Sequence, residues 1–177
     1  VGLTFRDVLN GLGEYPGDPG PPGGDAAGVV GEAPLLPHST FGLGHAPLAS
    51  AAIAAAPFLA HKPATLSFEQ ACTLPVTWST THAAVERAGL CAGSSIIVQA
   101  AAGGVGLKAV EYTQWLHARS VGTAGRPHKH AQLRAKGVID LCSSRDGAAF
   151  TMGVTRNMAA ARSHAVLNSL SLDFVST

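Results

Sequence analysis

Ile96-Ile97-Val98-Gln99-Ala100-Ala101-Ala102-Gly103-Gly104-Val105-Gly106 decides the fold of this chain. Three consecutive β-branched residues, Ile96 to Val98, read as a strand buried on both faces, as in a parallel sheet. Small residues then form a turn. Val105, Ala109, Val110, Thr113 and Leu116 recur at helical spacing, which predicts a helix to about His117. Ala101-x-Gly103-x-x-Gly106 occupies the places of the GxGxxG fingerprint, with Ala in place of the first glycine. Small residues are needed there so that a dinucleotide's pyrophosphate can approach main-chain N–H groups. The positive end of the following helix then faces the phosphates. A glycine cluster alone is weak, because any tight strand-to-helix turn can use one. The flanking strand and helix, with a second strand about 20 residues on, make it a nucleotide-binding signal.

Downstream, Ser120–Thr123 reads as a strand, about Lys129 to Lys136 as a helix, and Gly137–Leu141 as a strand. After an irregular stretch, Ala165–Asn168 reads as another short strand. This alternation predicts an α/β fold, a partial Rossmann doubly wound parallel sheet. The end of the second strand selects the nucleotide. NAD sites place an acid there for the ribose 2′-hydroxyl. Thr123-Ala124-Gly125-Arg126-Pro127-His128-Lys129 has no acid and two cations, Arg126 and Lys129, which favours the 2′-phosphate of NADPH over NADH.

Upstream, residues 11–24 hold six glycines and four prolines and predict a loop, shaped by Tyr15 and flanking apolar segments. Residues 26–30 suggest a short strand. Pro34, Pro37 and Pro47 leave 31–47 without an expected element. Ser67 and Gln70 make a capping box for a helix from about Phe68 to Leu74, stopped near Pro75. A second helix, about Trp78 to Ala88, is expected to end at Gly89.

The chain has 177 residues, 46% of them apolar, enough for a sizeable core. Twelve basic against eleven acidic residues give a net charge of +1, which offers no reason to expect nucleic acid or an anionic membrane as partner. Charged residues are only 13%, so either much of the surface is expected to be covered or the protein to be poorly soluble alone. Cys72, Cys91 and Cys142 fit neither a disulfide framework nor a metal pattern. They read as reduced, buried thiols of a cytoplasmic protein, with a plastid as the alternative. The longest apolar run, Ala51–Ala60, is broken by Pro57 and is too short to span a membrane. A first residue of Val, inside an apparent strand, suggests a fragment.

Several segments carry a family resemblance: Val1 to Asn10, Leu12-Gly13-Glu14-Tyr15-Pro16-Gly17-Asp18, Leu66 to Ala71, and Gln99 to Gly106. So do Thr123-Ala124-Gly125-x-Pro127-x-Lys129, Ser143-Ser144-Arg145-Asp146 and Val166-Leu167-Asn168-Ser169-Leu170. They resemble the enoyl reductase domains of modular (type I) polyketide synthases. Those domains belong to the zinc-independent, quinone oxidoreductase-like branch of the medium-chain dehydrogenase/reductase family. The resemblance implies a partial GroES-like substrate domain at 1–62 and a partial Rossmann domain at 63–177. It implies NADPH-dependent hydride transfer to the β-carbon of an α,β-unsaturated acyl thioester, with a proton to the α-carbon. The substrate would be carried by a carrier protein, beside other synthase domains and in a possible homodimer.

Carried over by position, Ala101, Gly103, Gly104, Val105 and Gly106 match the pyrophosphate turn. Lys129 and Arg145 match positions near the 2′-phosphate. Thr81 (or Thr80), Thr123 and Asn168 match segments lining the cofactor. Tyr15 is the implied proton donor, with Lys129 as the competing assignment. Arg6 and Asp7 read as a structural pair and His82 as local structure. No metal is expected at His128-Lys129-His130, which lacks further ligands. The chain departs from the pattern at Thr4, where Asn is usual, between Val30 and Phe41, where it is shorter, and over 151–164. The remaining strands of both domains are expected outside these 177 residues. Alternatives are a free-standing quinone or enone reductase, or a truncated, catalytically silent module.

Overall fold

The computed structural model describes residues 1–31, 38–45, 47–158 and 163–169. The chain divides into two compact units, 1–79 and 80–177.

In the first unit, β1 (Asp25–Val29), β2 (Ser39–Leu43) and β3 (Leu59–His61) form an antiparallel sheet in that order. β2 corrects the expectation of no element in 31–47; Pro34 and Pro37 themselves lie outside the described residues. Its cause is non-local, since it is held by ladders to β1 on one side and β3 on the other. Gly42 has no room for a side chain, because a Cβ there would run into the Phe58 carbonyl.

Helix α1 (Phe5–Leu12) also differs from the strand-like start and the loop expected from residue 11. Gly13 ends it in the left-handed region at φ 72°. Thr4 donates from its N–H and hydroxyl to Asp7 Oδ2 at 2.6 and 2.8 Å, so this departure from the family pattern caps the helix. Gly23 N–H donates to Asp7 Oδ1 at 2.7 Å, and Arg6 donates to the Gly23 carbonyl at 2.7 Å. Arg6 and Asp7 pair at 3.4 Å, which confirms the structural pair and makes the Gly/Pro stretch a shaped loop. Burial would raise the Asp7 pKa, but the Thr4 and Gly23 N–H groups, the Thr4 hydroxyl and Arg6 outweigh it and hold it at about 2.

Asp25 is 2% exposed, and its Oδ1 accepts the Val76 N–H at 2.7 Å. Burial pushes its pKa up to about 6; the Val76 bond opposes this and the Asp7 charge adds to it. The folded state therefore binds this proton more tightly than the unfolded state does. Stability contributed by Asp25 is present below pH 4 and is lost as pH rises through 6. Asp25→Asn keeps the acceptor for Val76 and removes the buried charge. We expect it to raise stability by roughly 2 kcal/mol at pH 8 and by little at pH 4. Thermal unfolding at the two pH values checks this; an equal shift at both refutes it.

The capping box forms as expected, with Gln70 N–H on Ser67 Oγ (3.2 Å) and Ser67 N–H on Gln70 Oε1 (3.0 Å). Helix α2 (Phe68–Ala71) is shorter than expected, and α3 (Pro75–Arg87) begins at the proline expected to stop its predecessor. Proline lacks only an N–H that a first helical turn leaves unpaired. The expected boundary at 62/63 falls at the end of the sheet. Residues 63–79 group with the first unit, tied to it through Val76 and Asp25.

In the second unit, β4 (Ser95–Val98), β5 (Arg119–Ala124), β6 (Asp140–Ser143) and β7 (Ala165–Leu167) make a parallel sheet of order β6-β5-β4-β7. All four β4 residues are buried. Val85 of α3, Ala109 and Val110 of α4 (Gly104–Trp115) and Leu133 of α5 (Pro127–Ala135) pack with Ile96, Val98 and Ala124. On the other face, Phe150, Val154 and Met158 of α6 (Gly147–Met158) cover Ile97, Val121 and Cys142. The sheet is doubly wound, as expected. Helix α6 corrects the irregular stretch, and its apolar residues four apart were the readable signal. Cys72 and Cys142 are buried, but Cys91 is exposed, which corrects the reading of three buried thiols.

Candidate functional site

Chain order reverses direction across the sheet between β4 and β7, and open α/β sheets form their ligand crevices beyond the carboxyl ends of strands at such a point. Here β4 leads into a turn. Ala100 takes φ 48°, the left-handed region. Gly103 N–H donates to the Ala100 carbonyl at 2.8 Å, and Ala101 N–H to the Thr123 carbonyl at 3.0 Å, fastening the turn to β5. Gly103 N-caps α4 without a side-chain bond, which leaves the first-turn N–H groups for another partner. A Cβ on Gly106 would run into the Ala100 carbonyl and lie 2.6 Å from Ala101 Cα. Only glycine lets the helix approach the strand this closely.

A cavity of about 1070 Å³ opens beside the turn, lined by Gln99, Ala100, Ala102 and Gly103, by Thr123 to Arg126, and by Lys129. Ser143 to Gly147, Phe150 and Thr151 close the other side. Thr123 is 1% exposed, and among the described residues its Oγ1, like Gln99 Oε1, has no hydrogen-bond partner. Among the described residues, the side chains of Arg126, Lys129 and Arg145 make no ion pair. Among the described residues Asp146 is the one acid in the lining, and its Oδ1 accepts the Ala149 N–H at 3.0 Å at the start of α6. Cations without an ion pair among the described residues and two buried side-chain oxygens in one crevice, beside the N-terminal end of α4, fit a polyanionic dinucleotide.

The expected site residues separate into groups. Ala101, Gly103, Gly104, Val105 and Gly106 form the turn and first helical residues. Thr123, Lys129 and Arg145 line the cavity. Thr81 does not line it. It is fully buried, with its hydroxyl 3.5 Å from the Val105 carbonyl, and so supports the turn from α3. Asn168 follows β7 and is half-buried, outside the cavity lining. Tyr15 lies in the first unit, half-buried in the bend after α1. His82 is held locally, its Nδ1 2.9 Å from the Tyr112 hydroxyl. His130 Nε2 lies 2.7 Å from the Ala124 carbonyl. Among the described residues, no group of three or more His, Cys, Asp or Glu is placed to hold a metal. Sequence reasoning missed Gln99, Ser143 and Phe150. Gln99 was findable, since it stands at the carboxyl end of β4 just before the turn.

No protein-family model matches the chain. It is 42% identical over 156 residues to a spectinabilin polyketide synthase system protein of Streptomyces orinoci, covering 83% of this chain and 7% of that protein. It is 39% identical over 155 residues to erythronolide synthase EryA2 of Saccharopolyspora erythraea, covering 82% of this chain and 4% of that one. Among solved structures, CurK enoyl reductase superposes with a TM-score of 0.83 at 32% identity, over 96% of this chain and 56% of its own. Along most of its length the chain is thus similar in sequence to polyketide synthases and in structure to an enoyl reductase. A quinone oxidoreductase from Thermus thermophilus, solved also in complex with NADPH, superposes with a TM-score of 0.68 at 30% identity, over 90% of this chain and 52% of its own. The likeness to these solved structures runs along both units, while the chain spans about half of each of them and a small part of the synthases.

Proposed function

We propose that the chain is the nucleotide-binding part of an NADPH-dependent enoyl-thioester reductase in a polyketide synthase. The observation that carries this reading is the gathering of Arg126, Lys129 and Arg145 around one cavity beside the glycine turn, with no acid in the loop from Thr123 to Lys129. In the reading, the turn from Ala101 to Gly106 and its helix N–H groups hold the pyrophosphate. Lys129 and Arg145 meet the 2′-phosphate, and Thr123 satisfies its orphaned hydroxyl on the cofactor. Bound NADPH supplies the hydride for the β-carbon of the α,β-unsaturated thioester. A proton at the α-carbon completes a saturated thioester. The place of Lys129 beside two other cations supports its phosphate role, and Tyr15 is the proton donor that the family resemblance implies. Thr81 acts by supporting the turn and Asn168 from beside β7. The substrate is an acyl thioester on a carrier protein, and the partners are the other domains of the synthase.

The test has two parts. Titration of the chain is expected to change NADPH fluorescence more strongly than NADH fluorescence; equal responses refute the 2′-phosphate assignment. The complete synthase polypeptide is expected to reduce a crotonyl thioester with NADPH. A folded synthase that binds NADPH without turnover identifies a silent module instead.

A further inference from the structure

Gly125 has no backbone reason to be glycine, since its φ is not positive. Its reason is a neighbour. A Cβ built on Gly125 would lie 2.7 Å from Arg145 Nε and 3.0 Å from Arg145 Cδ and Cγ. The arginine stem therefore lies across the space where a side chain would stand. The backbone of Arg145 is anchored separately: the Ser143 hydroxyl accepts the N–H groups of Arg145 at 3.2 Å and Asp146 at 3.3 Å. Gly125, Ser143 and Arg145 all line the same cavity. With its backbone held from one side, Arg145 reaches that wall by passing over residue 125.

Resting on the NADPH reading above, we infer that Gly125 is a specificity-determining residue, its missing side chain giving Arg145 the berth from which it meets the 2′-phosphate. The guanidinium is the cation best shaped for a phosphate, so its position matters as well as its charge. The three atoms nearest a Cβ at 125 all belong to Arg145. A side chain there displaces a flexible stem and leaves the glycine turn and Lys129 in place. The loss falls on recognition of one phosphate rather than on the fold.

The probes are adenosine 2′,5′-bisphosphate and 5′-AMP, which differ only in the 2′-phosphate, titrated calorimetrically against the chain. Gly125→Ala is expected to weaken the bisphosphate about tenfold and to change 5′-AMP by less than about twofold. Arg145→Met is expected to give the same selective loss, and adding Gly125→Ala to it to cost nothing further, the signature of one shared interaction. Unfolding midpoints equal to wild type confirm that the variants fold, and Arg145→Met, which adds no atom at residue 125, reads the same phosphate selectivity if Gly125→Ala does not. Equal weakening of both probes, or additive losses in the double variant, overturns the inference while the NADPH reading stands. A wild-type chain that binds both probes equally overturns the NADPH reading and this inference with it.

Discussion

Gly106→Ala is expected to remove nucleotide binding and to destabilise the second unit by about 3 kcal/mol or more, because the added methyl meets backbone that cannot rotate away. The clashing atoms are the Ala100 carbonyl and the Ala101 Cα and carbonyl carbon, the last two at 2.6 and 2.8 Å. They are fixed from the other side by Ala101 N–H on the Thr123 carbonyl and by the left-handed Ala100. Relief requires α4 to withdraw from β4, which would uncover Ala109 and Val110, both at the centre of the core on that face. Gly103→Ala is the instructive contrast. Its Cβ would stand 3.2 Å from the Ala100 carbonyl, a contact that a small shift accommodates. It should therefore keep most of the stability and lose affinity by crowding the path of the phosphates. Thermal unfolding and NADPH titration separate the two cases. A Gly106→Ala protein with wild-type midpoint and wild-type binding would refute the close-approach argument.

The same contrast explains what was legible in the sequence. The β4–turn–α4 unit was readable because its causes are local: β-branched residues, small turn residues and a helical repeat lie within one short window. The row of cations was readable too, since the absence of an acid after β5 needs no knowledge of the fold. β2 was hidden because pairing with β1 and β3 makes it a strand, and no window of its own sequence contains those partners. α1 was hidden by Gly11 within it and by a cap that depends on Thr4 and Asp7 acting together. Thr81 shows a subtler limit. Its position was found by resemblance, yet the structure places it beneath the turn, with its hydroxyl toward the Val105 carbonyl, where it shapes the site without lining the cavity. Gly125 shows the reverse. Its spacing is ordinary, and its meaning depends on Arg145, twenty residues later, lying across it.

Replacing both Lys129 and Arg145 by Ala is expected to weaken NADPH binding about 100-fold, roughly tenfold for each exposed charge-assisted contact, with NADH affected far less. Two features make the outcome discriminating. First, both side chains are exposed and make no ion pair among the described residues, so their removal strands no buried partner and the unfolding midpoint should hold. Second, the proposed interaction is between exposed charges and a phosphate, so the preference of the wild-type chain for NADPH should shrink as salt is raised, and that of the variant should not. Titrations of both nucleotides at low and high ionic strength check this. If the variant lost NADPH and NADH equally, the cations would be serving the pyrophosphate instead, and the preference would have to come from elsewhere in the crevice. If salt left the wild-type preference intact, a desolvated contact such as that of buried Thr123 would be the better explanation. The turn and the loops thus have separable duties. In the proposed reading, Gly106 lets a dinucleotide approach and the exposed cations select which one stays.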